Sequence, residues 1–396
     1  MTSERPAPPP PAPAAPEWAL APKYGPGSLA AVVPDAIAAL GIRLDGPAGA
    51  PEAPGAAGAA PRGIVLVLAD GLGWANLEAR RGHAPFLWEA PRERRLTGFP
   101  STTVASLGSF GTGLSPGQTA LAGYSLRDPA TGRRAVLIKW DTPTAPRVWQ
   151  PEATLFERLA AAGHPAAFIG EARFENSSMT LSSLRGARFR PDGNTAQGRV
   201  AAALAAARKG EGLVYLYWGE LDKVGHAKGW QSPDWAAALE RLDRSMADLA
   251  ARLPAGWELW LTADHGMIDI GGGAPVWDVR DHPALAEGVD LIAGEARAVH
   301  VYTRQPEAVA QRWRGLLGPG AWVLTKAEAV AAGLFGPVAE RVLPYLGDVV
   351  AAMAGRGIVL DTPGQGPGPA EMVGHHGSLT APEMAVPLLR WPARAA

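Results

Sequence analysis

Apolar residues fill the stretch "GIVLVLAD" (Gly63 to Asp70) almost without a break, and the run ends in an acid. Continuous rather than alternating hydrophobicity suits a strand buried on both faces. The pattern then changes to helical spacing in "ATLFERLAAAGHPAAFIG" (Ala153 to Gly170), where Thr154 and Glu157 form a capping-box pair. Gly163 can end that helix, and Ala166 to Ile169 return as a strand. Two further units follow. An alanine-rich helix at Ala196 to Arg208 leads into "GLVYLYW". A helix opened by Ser232 and Pro233 leads into "WELWLTAD", which ends at Asp264. Helix and strand in alternation predict a largely parallel sheet with helices on both faces.

The ends of the chain read differently. "MTSERPAPPPPAPAAP" holds too many prolines for helix or sheet and has no apolar core of a secretory signal, so residues 1–16 read as a disordered tail. Residues 17–62 read as an N-terminal helical segment and a linker, the latter rich in Pro, Gly and Ala from Gly46 to Gly63. Residues 63–396 then form the main domain, with 272–345 as a candidate cap or insert. At 396 residues and 47% hydrophobic content the chain can bury a sizeable core. Its 37 basic and 38 acidic residues nearly cancel, so neither a nucleic acid polymer nor a membrane is an expected partner. No cysteine is present, which excludes thiolate metal sites and cysteine nucleophiles and fits a cytoplasmic setting.

Asp70, Asp222 and Asp264 each fall at or just past the C-terminal end of an expected strand, the edge where open α/β sheets bind ligands. Two of them have a histidine close by: Asp222 with His226, and Asp264 with His265. A further pair, His375 and His376, lies near the C-terminus. Carboxylate and imidazole together are ligands that Zn²⁺ and similar ions accept. The stretch "FPSTTVASLGS" sets Ser101, Thr102 and Thr103 side by side, with Ser101 the expected N-cap of a helix. The glycines of "ADGLGWAN" do not make a dinucleotide fingerprint, because Asn76 stands where the third glycine belongs.

Taken in order, "LADGLG", "FPSTTVASLGSFGTGLSPG", "YWGELDKVGHAKG", "LTADHGM" and "GHHGS" resemble the alkaline phosphatase superfamily, and within it the type I phosphodiesterase and nucleotide pyrophosphatase branch. The resemblance implies an α/β three-layer fold with a mostly parallel central sheet and a small cap. It also implies a two-metal site: Asp70, Asp264, His265 and Thr103 around one ion, Asp222, His226 and His376 around the other. The expected cofactors are two divalent ions, foremost Zn²⁺, with Mn²⁺ or a mixed pair as alternatives. Thr103 is the implied nucleophile, with Thr102 as the competing assignment, and Ser106 the implied contact to a phosphoryl oxygen where eukaryotic relatives carry asparagine.

The implied activity is hydrolysis of a small phosphodiester, pyrophosphate or nucleotide through a covalent phosphothreonine. Two divalent ions against three carboxylates leave one net positive charge, which suits a diester monoanion. Phosphomonoester or phosphonate hydrolysis on the same fold is the alternative, and a non-catalytic binding homologue is a further one. An arginine such as Arg173 or Arg297, folded over the site, would favour monoesters.

Overall fold

A computed structural model describes residues 13–44 and 60–394. Most of the expected N-terminal tail and of the expected connector lie outside those described residues.

The strands of the two larger sheets are β1 (Gly63–Ala69), β2 (Arg92–Leu96), β3 (Ala167–Gly170), β4 (Arg188–Pro191), β5 (Leu213–Trp218) and β6 (Trp257–Thr262), then β7 (Leu291–Glu295), β8 (Ala298–Tyr302), β9 (Ala321–Thr325), β10 (Val349–Met353) and β11 (Ala385–Trp391). Seven of them make the central sheet in the order β2-β11-β6-β1-β5-β3-β4. The pairs β6-β1, β1-β5, β5-β3 and β3-β4 are parallel. Only β11 runs antiparallel to its neighbours, β2 and β6.

The helices that matter here are α1 (Val32–Ala39), α2 (Thr103–Thr112), α3 (Leu155–Ala161), α4 (Ala196–Arg208), α5 (Glu220–Lys228), α6 (Pro233–Arg252), α7 (Pro306–Leu317) and α8 (Ala381–Met384). Strand β1 explains the layering. Ile64, Leu66 and Leu68 pack with α1, α2 and α3 on one face, while Val65, Val67 and Ala69 pack with α4 and α6 on the other. Side chains alternate across a strand, so an unbroken apolar run is what a strand between two cores requires. Each such aliphatic side chain contributes about 1.5–3 kcal/mol when removed from water.

The helix ends follow from local chemistry. Thr154 Oγ1 accepts from Glu157 N at 3.0 Å and Glu157 Oε2 accepts from Thr154 N at 3.1 Å, so α3 opens on a reciprocal cap. Ser232 Oγ accepts from Trp235 N at 3.2 Å ahead of Pro233, which begins α6. Between β6 and β11, strands β7, β8, β10 and β9 pair antiparallel in that order into a separate sheet, with α7 packed on it. Strand β10 lies past residue 345, so this inserted sheet reaches further along the chain than the segment 272–345 expected as the cap. Among the described residues no helix is long and apolar enough to cross a membrane.

Helix α2 carries a glycine for a steric reason. A Cβ on Gly111 would sit 1.7 Å from the Ser183 carbonyl oxygen, and that neighbour is backbone. Gly111→Ala is therefore expected to destabilise the fold by about 1–3 kcal/mol, although alanine is the better helix former. Gly315 in α7 has nothing within 4 Å of its would-be Cβ, and Gly315→Ala is expected to stabilise by about 0.5–1 kcal/mol. Denaturant midpoints of the two variants, moving in opposite directions, check both.

Candidate metal centre and nucleophile

The three acids arrive where adjacent parallel strands end. Asp70 follows β1, Asp264 lies two residues past β6, and Asp222 sits in the first turn of α5 after β5. Strand β1 lies between the other two, so the register of the sheet gathers the acids at one edge. Gly71, at φ +77°, lets β1 leave the sheet there; a Cβ on it would stand 3.1 Å from Asp222 Cα.

The protein ties down one oxygen of two of these acids and leaves the other bare. Tyr217 Oη donates to Asp70 Oδ2 at 2.5 Å, while the amides of Gly71 and His265 donate to Asp264 Oδ1, each at 3.1 Å. Asp70 Oδ1, Asp264 Oδ2 and Asp222 Oδ1 are buried and accept no hydrogen bond. An unpaired buried carboxylate oxygen is costly, and three in one place suit a cation site.

The histidines carry the same message. His226 Nδ1 donates to Gly374 O at 2.7 Å, His265 Nδ1 to Gly266 O at 3.0 Å and His376 Nδ1 to Ser101 O at 2.9 Å. A carbonyl can only accept, so each Nδ1 holds the proton and each Nε2 presents a lone pair. Those Nε2 atoms converge. His376 and His226 stand 3.3 Å apart, His226 lies 3.2 Å from Asp222 Oδ1, and His265 lies 3.4 Å from Asp70 Oδ1 and 3.5 Å from Asp264 Oδ2. Two lone pairs facing each other at this distance suit a shared cation. The donor atoms of Asp70, Asp264 and His265 lie within 4.8 Å of one another, and so do those of Asp222, His265 and His376. The two groups share His265, and their donor set of carboxylate and neutral imidazole fits divalent cations. His375 instead gives Nε2 to Met372 O at 3.2 Å, outside the cluster.

Electrostatics without a cation show the strain on this group. Burial, then the charges of Asp264 and Asp222, push Asp70 well above the usual carboxylate range. Burial also raises Asp264, against the pull of His265. Asp222 stays low despite burial, because His226 and the other imidazoles face it. Burial, then the neighbouring His265 and His226, hold His376 well below the ordinary histidine value.

The hydroxyls of the "FPSTTVAS" stretch divide the work. Thr103 is the first residue of α2, and its Oγ1 lies 3.2 Å from His265 Nε2. It is partly exposed, whereas Ser101 and Thr102 are buried. Ser101 is not the cap it was expected to be. Thr102 occupies the N-cap position and no side chain caps the helix, while Ser101 Oγ donates to Ser378 O at 2.7 Å and ties the start of α2 to the His376 loop. Ser106 is committed as well. Its Oγ donates to Asp264 O at 2.8 Å and lies 2.8 Å from Thr97 Oγ1, so the geometry uses it to brace the Asp264 loop rather than to face a phosphoryl oxygen.

The type I phosphodiesterase/nucleotide pyrophosphatase family matches residues 64–379, most of the chain. This chain belongs to that family. Phosphopentomutases are similar over a shorter stretch: that of Methylobacterium nodulans is 34% identical over 154 residues, 36% of this chain and 34% of the relative. That of Chelativorans sp. is 32% identical over 167 residues, 40% of this chain and 38% of the relative. The matches span little more than a third of those curated relatives. Murine ectonucleotide pyrophosphatase/phosphodiesterase 5 shares the fold, with TM-score 0.63 at 18% identity over 82% of this chain and 87% of the other. Phosphonoacetate hydrolase of Sinorhizobium meliloti, solved with phosphonoformate, gives 0.64 at 20% over 83% and 90%. The superfamily to which all of these belong is metal-dependent and transfers phosphoryl groups.

Residues given no role at the sequence level also reach the site. Tyr217 orients Asp70 and meets Phe174 edge-on at 5.6 Å between ring centres, while Trp218 is fully buried in the core. Neither arginine considered for the site is free. Arg173 pairs with Glu171 at 2.8 Å on the surface, and Arg297 is buried against Glu383. Glu295, at the end of β7, lies over Gly377, whose would-be Cβ stands 2.8 Å from Glu295 Cγ. Burial pushes its carboxyl up from 4.5 to about 8, and nearby Glu383 pushes the same way, against the Thr102 hydroxyl, the Tyr124 amide and His226.

That shift has a sign. Between pH 4.5 and about 8 the folded chain keeps a proton on Glu295 that the unfolded chain has released, so stability falls as pH rises through this window. Glu295→Gln removes that dependence. Unfolding free energies at pH 6 and pH 9, at saturating metal, are expected to diverge for wild type more than for the variant. Equal slopes would show that Glu295 is ionised in the fold at both pH values.

Proposed function

We propose that this protein is a metal-dependent hydrolase of phosphodiester or pyrophosphate bonds that works through a phosphothreonine at Thr103. One observation carries the reading: a partly exposed hydroxyl at the open start of α2 stands 3.2 Å from His265 Nε2, beside three bare carboxylate oxygens. Asp70, Asp264, His265 and Thr103 would hold one ion, and Asp222, His226 and His376 the other. Zn²⁺ is the ion we favour for this thiolate-free set. When bound, the pair supplies positive charge that lowers the proton affinity of a hydroxyl and offsets charge on a phosphoryl group.

The chain's own residues do the rest. Thr103 Oγ1 attacks phosphorus as the ester oxygen departs with its electron pair, and water then cleaves the new P–O bond to restore the hydroxyl. First-turn amides of α2, which no side chain caps, face the incoming phosphoryl oxygens with the positive end of the helix dipole. A diester preference fits the fate of the arginines. Arg127, the first after Thr103, lies over the Tyr302 ring at 4.5 Å, and Arg173 and Arg297 are paired elsewhere. A monoester dianion would ask for more positive charge than the one unit left over.

Among the structural neighbours, an inactive threonine-to-alanine variant of the murine enzyme is in complex with AMP, which supports a nucleotide as substrate. We place the reaction in a reducing compartment such as the cytosol, on the absence of cysteine. The phosphopentomutase similarity favours a second reading, in which the phosphothreonine passes its group to a sugar hydroxyl instead of water.

Thr103→Ala is expected to abolish turnover of bis-p-nitrophenyl phosphate while elemental analysis still finds close to two divalent ions per chain. Asp222→Ala should lose both metal and rate. Activity of Thr103→Ala near wild type would move the nucleophile to Thr102. In a panel with p-nitrophenyl phosphate, phosphonoacetate, dinucleotides and ribose phosphates, turnover of the monoester alone would overturn the diester preference, and isomerisation of ribose phosphate would establish the mutase.

A further inference from the structure

Arg297 is fully buried in the turn between β7 and β8, and so is its partner Glu383 in α8. Arg297 Nε donates to Glu383 Oε1 at 3.0 Å and Nη2 to Oε2 at 2.6 Å, a bidentate pair. The same guanidinium donates to Gly357 O at 2.6 Å and Met353 O at 3.2 Å. The remaining capacity of Glu383 goes to the metal-ligand loop: Oε1 accepts from Ser378 N at 3.0 Å and Oε2 from Thr380 Oγ1 at 2.5 Å.

An ordinary helix cap does not explain this carboxylate. Thr380 and Glu383 have capping-box spacing, yet no side chain caps α8, and Glu383 reaches past the cap to Ser378 and Arg297. Ser378 is two residues from His376, and each of its polar groups is held. Its amide goes to Glu383, its carbonyl accepts from Ser101 Oγ at 2.7 Å, and its hydroxyl donates to Met353 O of the inserted sheet at 2.7 Å. The Glu383 carbonyl also accepts from Gly266 N at 2.8 Å, beside His265. Both histidine loops thus lean on one residue, and the inserted sheet supplies its counter-charge. Burying such a pair is a poor way to gain stability, because apolar residues of the same volume do as well or better.

We propose that Arg297 and Glu383 are positioning residues for His376, through which the inserted antiparallel sheet sets the affinity of one of the two metal positions. The inference rests on the metal reading given above. Outer contacts of this kind are worth about 10–100-fold in metal affinity.

The test is metal affinity of the full-length apoprotein for Zn²⁺, by competition with a chromophoric chelator at 25 °C, with ions per chain counted by elemental analysis. Wild type is expected to bind two ions. Arg297→Lys keeps the charge and loses the fork, and it should weaken one ion by about tenfold while leaving the other within threefold. Glu383→Gln, which keeps the size but not the second acceptor, should weaken the same ion further. Thermal unfolding of the metal-free variants separates a structural role, which lowers the melting temperature and leaves affinity in the folded state unchanged. Two ions bound with wild-type affinity by folded Arg297→Lys would overturn the inference alone. A wild type that binds none would overturn the metal reading and the inference with it. Should Glu383→Gln not fold, Arg297→Lys decides.

Discussion

Three carboxylates confined to one edge of the sheet, faced by imidazoles but by no paired lysine or arginine among the described residues, set the terms for the rest of the structure. Two such charges about 4 Å apart repel by roughly 4 kcal/mol at an effective dielectric near 20, and burial adds to the cost. A fold that stabilised only itself would place arginine there. Here Arg297 is turned to Glu383 and Arg127 to the Tyr302 ring. Backbone carbonyls fix the Nδ1 protons of His226, His265 and His376, which denies the acids imidazolium partners unless Nε2 also takes a proton. Cations between the acids would relieve that repulsion, and on the reading proposed above folding of the edge and metal binding would be linked.

Much of this was legible in the chain. A strand buried on both faces must be apolar throughout, so β1, β5 and β6 announce themselves, and the polar residue that ends each run marks the sheet edge. Caps at Thr154 and Ser232 are local chemistry and read equally well. Strand β2, "RERRL", was not legible, because its edge position leaves most of it exposed and removes the apolar signal. The extent of the inserted sheet was missed for another reason. Its strands pair across long stretches of chain, so β10 joins β8 and β9 through contacts that no local pattern encodes.

At the site, the division of labour among hydroxyls was the hardest part to read. Ser101, Thr102, Thr103 and Ser106 look alike in sequence, and only their partners tell them apart. Ser101 joins two loops, Ser106 braces the carbonyl of Asp264, and Thr103 alone is left partly exposed beside an imidazole lone pair. A family motif names the position of each residue, but the hydrogen bond that consumes a hydroxyl is a property of the packed neighbours. That is why asparagine and serine at position 106 need not do the same job. A shorter side chain can turn inward to a backbone carbonyl where a longer amide would reach out.

The same reasoning bears on how one fold serves several phosphoryl reactions. The acids and histidines of the candidate site come from the ends of β1, β5 and β6 and from the loop before β11, all bordering the central sheet. What surrounds them comes from elsewhere: Glu295 from β7 covers Gly377, and Arg297 from the adjoining turn holds Glu383. Changes in the inserted sheet can therefore alter what borders the site, and the placement of the His376 loop, without disturbing the strands that gather the acids. Under the reading proposed above, water and a sugar hydroxyl would meet the same threonine and the same acids, so the choice between them would rest with the parts that border the parallel sheet.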